Sequence, residues 1–238
     1  MNSYNITFKT NNLVIPINYH YQIQSLIYAI IRSGGCFDLH DKSEKSKNFK
    51  FFTFSLVSGG TLNNKKFIFK NHLNLTVRIL DDNICEAFEK GIKKELKLFN
   101  QNIELLSFNI TKFDFNSEKY LIKLLSPINV DRTVDNVRIF YSPKNIKFKE
   151  LVNQNLKEKY YNYYNMELDA DISLEPVGDN KKYVTLYKKP NIYITGFNGY
   201  YIIKGKSKCI EFLYYTGLGA RNSCGFGCFD VVEICSWV

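Results

Sequence analysis

Segments with strand-type and helix-type hydrophobic periodicity alternate along the chain, and the same order of segments occurs in both halves. This repeated order is the feature that most constrains the fold. In the first half, alternating apolar residues at 4–9 predict a strand. Apolar residues three and four positions apart then predict a helix over Tyr21–Arg32, and Gly34 and Gly35 mark its end. Strand, helix, two or three strands, helix and strand is the order of a ferredoxin-like unit.

The other predicted elements of the first half complete such a unit. Alternation and β-branched or aromatic content predict strands over Phe49–Leu56, Lys66–Lys70, Leu73–Leu80 and Ile103–Asp114. Between the last two strands, Asp81 or Asp82 is the predicted N-cap of a helix that continues to about Lys97.

The second half approximates the same order. Strands are predicted over Lys119–Val130, Asn136–Tyr141, Ile172–Val177, Tyr183–Leu186, Ile192–Ile203 and the segment FDVVEIC, and helices over Phe148–Tyr164 and Ser207–Thr216. The predicted fold class is α+β, with tandem ferredoxin-like (RRM-like) domains and a glycine-rich loop near the C-terminus. The segment SPINVDRTVD breaks the pattern, which places the predicted domains at 1–124 and 125–238.

The chain is basic, with 32 Lys and Arg against 23 Asp and Glu, a formal charge of +9 and a sequence pI near 9.1. This excess favours a polyanionic partner, because Lys and Arg neutralise phosphates and release counterions. No stretch approaches the roughly 20 apolar residues of a membrane span, and no basic segment leads into an apolar run at the N-terminus. We therefore expect a cytoplasmic protein with no membrane partner.

The six cysteines form no C-x-x-C pair, and we expect them to be reduced, mostly buried side chains. Cys224, Cys228 and Cys235 could share a zinc ion with a histidine. Their spacing matches none of the usual structural zinc patterns. The expected metal and cofactor content is therefore none.

The segment GLGARNSCGFG, residues 217–227, holds four of the thirteen glycines. It is not a dinucleotide-binding fingerprint, because Asn222 occupies the third glycine position and a helix precedes the loop. It also lacks the Gly-Lys-Ser/Thr of a phosphate loop. Two interpretations remain open: a tight connection in which Gly217 ends the preceding helix, or a flexible backbone that approaches phosphates beside the charged Arg221.

Glycine-hydrophobic-glycine, five residues, and the same triplet again resemble the signature loop of the CRISPR-associated endoribonucleases that process repeat RNA, members of the RAMP superfamily. The segment PINYHYQIQSLIYAII, residues 16–31, is similar to the family's first helix and its approach. LH followed by KFFTFS, within residues 39–55, is similar to its catalytic segment, and LLSPINV resembles the strand that opens its second domain.

This resemblance implies metal-independent cleavage of precursor repeat RNA by a catalytic set of Tyr28, His40 and Lys50. The 2′-hydroxyl of RNA attacks the adjacent phosphate, leaving 2′,3′-cyclic phosphate and 5′-hydroxyl ends. Histidine can accept or donate the proton near neutral pH, tyrosine can orient the hydroxyl, and lysine can stabilise the charged phosphate. His40 and Lys50 are farther apart than in the family pattern, so Lys45 or Lys47 is an alternative lysine.

His20, just before the first predicted helix, is a second candidate histidine. RNA contacts are expected along the loop, at Gly217, Gly219, Arg221, Asn222, Ser223, Gly225 and Gly227. The expected partner is CRISPR repeat RNA, with a CRISPR effector complex as a further candidate, and the expected state is a monomer or homodimer. The alternative function is a non-catalytic guide-RNA-binding subunit of the same superfamily.

Overall fold

The long predicted elements are present, and shorter strands lie between them. The structure is a computed structural model that describes residues 1–37, 49–188 and 192–235. The first unit contains β1 (Asn2–Lys9), β2 (Leu13–Pro16), α1 (His20–Ser33), β3 (Phe52–Phe54), β4 (Thr61–Asn63), β5 (Lys66–Phe69), β6 (His72–Ile79), α2 (Asp82–Gly91), β7 (Leu96–Leu98) and β8 (Gln101–Thr111). The second contains β9 (Lys119–Leu124), β10 (Asp131–Val134), β11 (Val137–Phe140), α3 (Ile146–Tyr164), β12 (Ser173–Leu186), β13 (Tyr193–Lys204), α4 (Ser207–Thr216), a 3-10 turn (Asn222–Cys224) and β14 (Phe229–Ile234).

Strand β1 lies at the centre of the first sheet, whose strand order is β3-β6-β1-β8-β7. It pairs antiparallel with β6 on one side and β8 on the other. Tyr4, Ile6 and Phe8 alternate along β1 and join the core that α1 and α2 complete, because alternate strand residues point to the same face. Strands β2, β5 and β4 form a separate small sheet beside this core.

The second sheet has the order β12-β13-β9-β14, with all its pairs antiparallel. Tyr120, Ile122 and Leu124 of β9 face a core that includes Phe148 of α3 and Leu213 of α4. A ferredoxin-like unit has the series strand, helix, two strands, helix and strand. In both sheets the first strand of this series lies between the third and fourth strands: β1 lies between β6 and β8, and β9 lies between β13 and β14. This order is the ferredoxin-like arrangement, so the prediction of tandem ferredoxin-like units is confirmed.

The predicted domain boundary after residue 124 requires a correction. Strand β9, residues Lys119–Leu124, is hydrogen-bonded to β13 and β14, and its apolar side chains lie in the second core. It therefore belongs to the second unit, and the division between the units falls before Lys119. The break in periodicity at SPINVDRTVD is a misleading signal for this boundary, because it lies after β9, whereas the division between the units lies before β9.

Helix α2 is shorter than predicted. Asp81 is its N-cap and accepts a hydrogen bond from Ile84 N, but the helix ends at Gly91 rather than near Lys97. Leu96 and Leu98 are buried on either side of exposed Lys97, and they form β7, which pairs with the start of β8. Leu96 fits both the helical and the alternating pattern, so periodicity alone assigns it to the wrong element.

Several predicted strands also change length. The predicted strand Phe49–Leu56 contributes only β3, and Lys119–Val130 ends at Leu124. The predicted strands Ile172–Val177 and Tyr183–Leu186 are parts of one strand, β12, which pairs with β13 across a shift in register. Periodicity does not predict β2, β4 or β10, because three or four residues carry too little pattern.

The glycine-rich loop, defined as residues 217–227, connects α4 to β14 and is tightly packed. Its backbone N–H groups donate to carbonyl groups at 2.8–2.9 Å, in the pairs Leu218 to Gly227, Ala220 to Asn129 and Gly227 to Pro127. Gly227 has a φ of +75°, and a Cβ at this position would lie 1.9 Å from Leu218 O. Of the two interpretations that the sequence leaves open, these contacts favour the tight connection.

Lys159 of α3 holds the loop from the side of the second unit. It is 2% exposed, and its Nζ donates to Gly217 O at 2.5 Å and to Asn222 Oδ1 at 3.2 Å. Asn222 Nδ2 in turn donates to Leu218 O and Phe226 O at 2.9 and 3.0 Å. Burial lowers the pKa of Lys159 to about 7. One buried amine thus connects α3 to the start and the middle of the loop.

The opposite side of the loop packs on the first unit. A Cβ on Gly225 would lie 2.5 Å from Phe54 Cε2 and 2.8 Å from His20 Nδ1. Gln24 Nε2 of α1 donates to Ser223 O at 2.7 Å. Helix α1 and strand β3 therefore hold a loop that belongs, in chain order, to the second unit.

His20 is fully buried, and its ring stacks on the rings of Tyr19 and Phe226 at centroid distances of 5.3 and 5.1 Å. Its Nδ1 lies 2.9 Å from Cys224 O, and its Nε2 lies 2.9 Å from the Tyr183 hydroxyl. A carbonyl only accepts hydrogen bonds, so Nδ1 carries the proton, and Nε2 of the neutral ring accepts from the Tyr183 hydroxyl. Burial lowers the pKa of His20 to about 4.

Arg78 of β6 joins the two units directly. Its side chain is 2% exposed, its Nη1 donates to Phe229 O, and its Nη2 donates to Asp230 Oδ1 at 2.9 Å. The guanidinium carbon lies 3.5 Å from the centre of the Tyr214 ring, and Nε donates to Ser3 Oγ at 3.2 Å. A single cation of the first sheet thus satisfies groups on β14 and α4.

Replacing Arg78 with Ala should lower the free energy of unfolding by about 2–4 kcal/mol, because Phe229 O loses its donor and Tyr214 loses a cation–π contact. Urea unfolding at pH 7 measures this change. Lys9→Ala, which breaks an exposed ion pair with Glu104, is the control and should cost less than about 1 kcal/mol. Equal, small losses in the two variants would contradict the role given to Arg78.

Stability should fall as the pH drops from about 6.5 to about 4, with His20 contributing up to ~3 kcal/mol. The unfolded chain binds a proton on this histidine below pH 6.5, while the folded chain does so only near pH 4, so acid favours unfolding. Urea unfolding across this range should show a smaller pH slope for His20→Phe than for wild type. His72→Phe, at an exposed histidine, should keep the wild-type slope. Identical slopes for wild type and His20→Phe would rule out a buried neutral ring.

Candidate active site

Tyr28 lies where helix α1 meets the glycine-rich loop. Its partly buried ring contacts Phe52 of β3 edge-on, with the ring centres 5.7 Å apart. Burial raises the pKa of its hydroxyl, and a hydrogen bond with the Ser223 side chain acts in the opposite direction. Two predicted site residues that are 195 positions apart in the sequence are thus in contact.

Lys50 lies near the same part of the loop. Lys50 and Ser223 line one cavity, and Ser223 also bonds to Tyr28. His40 and the alternative lysines, Lys45 and Lys47, lie outside the described residues. Their positions at this site therefore remain predictions, whereas Tyr28, Ser223 and Lys50 are brought to one region.

His20 occupies a different kind of position from the one expected of a catalytic histidine. It has no exposed surface, and both of its ring nitrogens are engaged, by Cys224 O and by the Tyr183 hydroxyl. The neutral ring lies beneath the loop and not on its exposed edge. In this structure His20 positions the loop.

Only the middle of the glycine-rich loop reaches the surface. Four residues are partly exposed: Ala220, Arg221, Ser223 and Cys224. The other predicted RNA contacts in the loop are buried: Gly217, Gly219, Asn222, Gly225 and Gly227. Gly217 also ends α4, with its N–H bonded to Leu213 O at 2.7 Å, as the tight-connection interpretation expects. The glycines pack against protein atoms, and RNA contact at these positions remains a prediction.

Arg221 has an acidic neighbour that the sequence does not reveal. Its Nη2 lies 3.3 Å from Asp131 Oδ2, and Arg138 Nε lies 3.0 Å from the same oxygen. The Asp131 side chain is only 9% exposed. Two guanidinium groups thus share one carboxylate, and the cluster keeps one net positive charge beside the loop.

A cavity of about 540 Å³ opens beside the exposed middle of the loop. One wall is helix α3, which contributes Gln154, Asn155 and Glu158. The other walls come from residues 49–50, 130–133 and 219–223. The cavity therefore brings together the loop, the segment that carries Lys50, and the start of the β10–β11 hairpin.

Sequence reasoning misses two residues that organise this region, Lys159 and Asp131. The buried positions of α3 are Phe148, Val152, Leu156 and Lys159, spaced by four, four and three. A lysine at a position of the apolar stripe is the signal that could have revealed the buried amine. Asp131 carries no comparable signal, because its two arginine partners are 7 and 90 positions away.

Within residues 1–37, 49–188 and 192–235, no three His, Cys, Asp or Glu side chains come together in a way that could hold a metal ion. The helices of the same ranges include none that is long and apolar enough to cross a membrane.

Known proteins share this architecture. Residues 107–231 match the family model for CRISPR associated protein Cas6, C-terminal. The chain is 29% identical to the CRISPR-associated endoribonuclease Cas6 1 of Methanocaldococcus jannaschii, over 96% of this chain and 92% of that protein. It is 24% identical to the CRISPR-associated endoribonuclease Cas6 of Pyrococcus furiosus, over 91% of this chain and 83% of that protein. A solved structure described as CRISPR associated protein Cas6 superposes with a TM-score of 0.81 at 25% identity, covering 98% of this chain and 99% of the other.

The family match covers more than half of the chain, and it includes the second sheet's β9, helix α3 and the whole glycine-rich loop. The sequence similarity and the superposition extend over nearly the full length. The chain therefore belongs to the Cas6 family of CRISPR-associated proteins.

Proposed function

We propose that this protein is an endoribonuclease that binds CRISPR repeat RNA and cleaves precursor transcripts. The observation that carries the proposal is the Cas6 family match over residues 107–231, the part of the chain that contains the glycine-rich loop. The two relatives aligned over most of the chain are named as CRISPR-associated endoribonucleases. The contact between Tyr28 and Ser223 supports the proposal, because the Tyr28 side chain then lies beside a partly exposed residue of that loop.

The proposed reaction uses a nucleophile that the RNA itself supplies. The 2′-hydroxyl attacks the neighbouring phosphorus, the bond to the 5′-oxygen breaks, and the products carry 2′,3′-cyclic phosphate and 5′-hydroxyl ends. The enzyme must accept one proton, donate another and stabilise the extra negative charge on the phosphate. None of these tasks requires a metal ion.

We assign these tasks to Tyr28, His40 and Lys50. An imidazole with an ordinary pKa near 6.5 can exchange protons at neutral pH, and this is the role proposed for His40. Burial raises the pKa of Tyr28, so its hydroxyl is protonated at neutral pH and can donate a hydrogen bond that orients the 2′-hydroxyl. Lys50 supplies positive charge to the cavity beside Ser223, where the phosphate would develop its extra negative charge.

We further propose that the protein acts in the cytoplasm, as a monomer or homodimer, with a CRISPR effector complex as a later partner of the product RNA. The basic composition supports an RNA partner of this kind, since phosphate neutralisation drives most of such binding. Size-exclusion chromatography with light scattering, with and without repeat RNA, distinguishes the monomer from the homodimer.

Replacing His40 with Ala should slow single-turnover cleavage of repeat RNA by about 10²- to 10⁴-fold, the usual contribution of general acid–base catalysis. The dissociation constant for the same RNA should change by less than about twofold, because the loss is confined to the transition state. The rates are measured in chelator by gel analysis of end-labelled RNA. His72→Ala, at an exposed histidine, is the matched control and should keep the wild-type rate.

The RNA provides an independent control of the mechanism. A 2′-deoxy substitution just 5′ of the scissile phosphate should block cleavage by the wild-type protein and leave binding intact. Continued cutting of that RNA would eliminate the proposed nucleophile. Tight binding of repeat RNA by wild type without any cleavage would instead favour the non-catalytic guide-RNA-binding subunit.

A further inference from the structure

We propose that the 540 Å³ cavity between helix α3 and the glycine-rich loop binds one unpaired nucleotide of the substrate RNA, next to the bond that is cut. This inference rests on the proposed function and adds a specificity site to it. The volume lies in the range of about 300–1,000 Å³ that is typical of sites for small ligands. A base enclosed in such a site must leave its helix, which is how proteins commonly read RNA sequence.

The walls of the cavity contain groups that suit a nucleobase. Phe49 offers a partly exposed aromatic ring on which a base can stack. Asn155 Oδ1 is buried and accepts no hydrogen bond from the described part of the chain. The amide of Gln154, one residue earlier, is exposed and already donates to Glu158 Oε1 at 2.8 Å. Buried polar atoms are rarely left unsatisfied in proteins, and a small rotation of the Asn155 side chain that turns Oδ1 into the cavity would let it accept from an amino or imino group of a base.

The opposite walls suit the phosphate of the same nucleotide. Arg221 and Arg138 share Asp131 and keep one net positive charge, and exposed Arg132 adds another. Arg221 Nε is buried and donates no hydrogen bond to any described residue. Glu158, by contrast, lies on the helix wall and disfavours a phosphate there. The charge distribution therefore orients the nucleotide, with its base toward α3 and its phosphate toward the arginines.

The cavity also adjoins the proposed catalytic groups. Ser223 lines the cavity and bonds to Tyr28, and Lys50 lines the same cavity. A nucleotide held there is connected through its own backbone to the phosphate that Tyr28 and Lys50 would contact. Holding the base fixes the position of that phosphate, which is the kind of positioning on which in-line attack depends.

The test combines a change in the RNA with a change in the protein. Repeat RNAs, each with one abasic ribose at a different position, are assayed for binding and single-turnover cleavage with wild type and with Asn155→Leu. For wild type, one abasic position within about two nucleotides of the cut should weaken binding about tenfold, as expected for a stacked and hydrogen-bonded base. Asn155→Leu should bind intact RNA about tenfold more weakly than wild type does. In this variant the same abasic position should weaken binding by less than about a further twofold, because the two changes remove the same interaction.

Asn162→Leu, the same substitution at an exposed position of α3, is the matched control and should show the full abasic penalty. Thermal unfolding confirms that the variants are folded. If Asn155→Leu does not fold, Phe49→Ala, which removes the proposed stacking ring, takes its place and should likewise abolish most of the abasic penalty.

The cavity assignment would be overturned if the abasic position weakened binding by Asn155→Leu as much as it weakens binding by wild type. It would also be overturned if wild type cleaved the RNA but no abasic position near the cut weakened binding. If wild type neither binds nor cuts repeat RNA, the proposed function and the cavity assignment both fail. The two failures are therefore distinguishable from the wild-type data alone.

Discussion

The backbone of the glycine-rich loop lies too close to its neighbours to leave room for a side chain at Gly225 or Gly227. At Gly225 the neighbours are Phe54 and His20 of the first unit, and at Gly227 the neighbour is the loop's own Leu218. The loop is therefore a closed, hydrogen-bonded segment between the two ferredoxin-like units. Moving the two units apart must therefore break the contacts of this loop. A substitution in the loop likewise alters the contacts between the units.

The placement of the site follows from this packing. Helix α1 comes from the first unit and the loop from the second, yet Tyr28 and Ser223 bond to each other because Gln24 and His20 hold the loop against the helix. The exposed part of the loop is limited to its middle, which is also the part that borders the cavity. A rigid loop thus presents a small, defined edge to the RNA, which favours precise positioning over adaptation.

The charge of the chain is divided between structural and binding roles. Arg78 and Lys159 are buried and hold the two units and the loop together, so they cannot neutralise phosphates. Arg221 and Arg138 are half compensated by Asp131. The formal charge of +9 therefore overstates the charge that is available to RNA. The local excess beside the cavity is a better guide to where a phosphate binds.

Periodicity predicts the long elements well, because helices α1, α3 and α4 and strands β1 and β6 each bury a continuous stripe of apolar residues. It fails for β7, whose Leu96 fits two patterns, and for short strands with too few residues. The site shows the same contrast. The family resemblance predicts site roles for Tyr28, Lys50 and Ser223, and these three residues lie in one region. The contacts of Lys159 and Asp131 depend on residues far apart in the chain and emerge only from the fold.

Amide hydrogen exchange of the RNA-free protein tests most directly whether the loop is a fixed bridge between the units. The N–H groups of Leu218, Ala220, Gly225 and Gly227 all donate to protein carbonyls. They should exchange as slowly as the amides of the central strands β1 and β9, through opening of the whole structure. Exchange of these four amides at the rate of an exposed loop, while the strands stay protected, would contradict a loop held in place by both units.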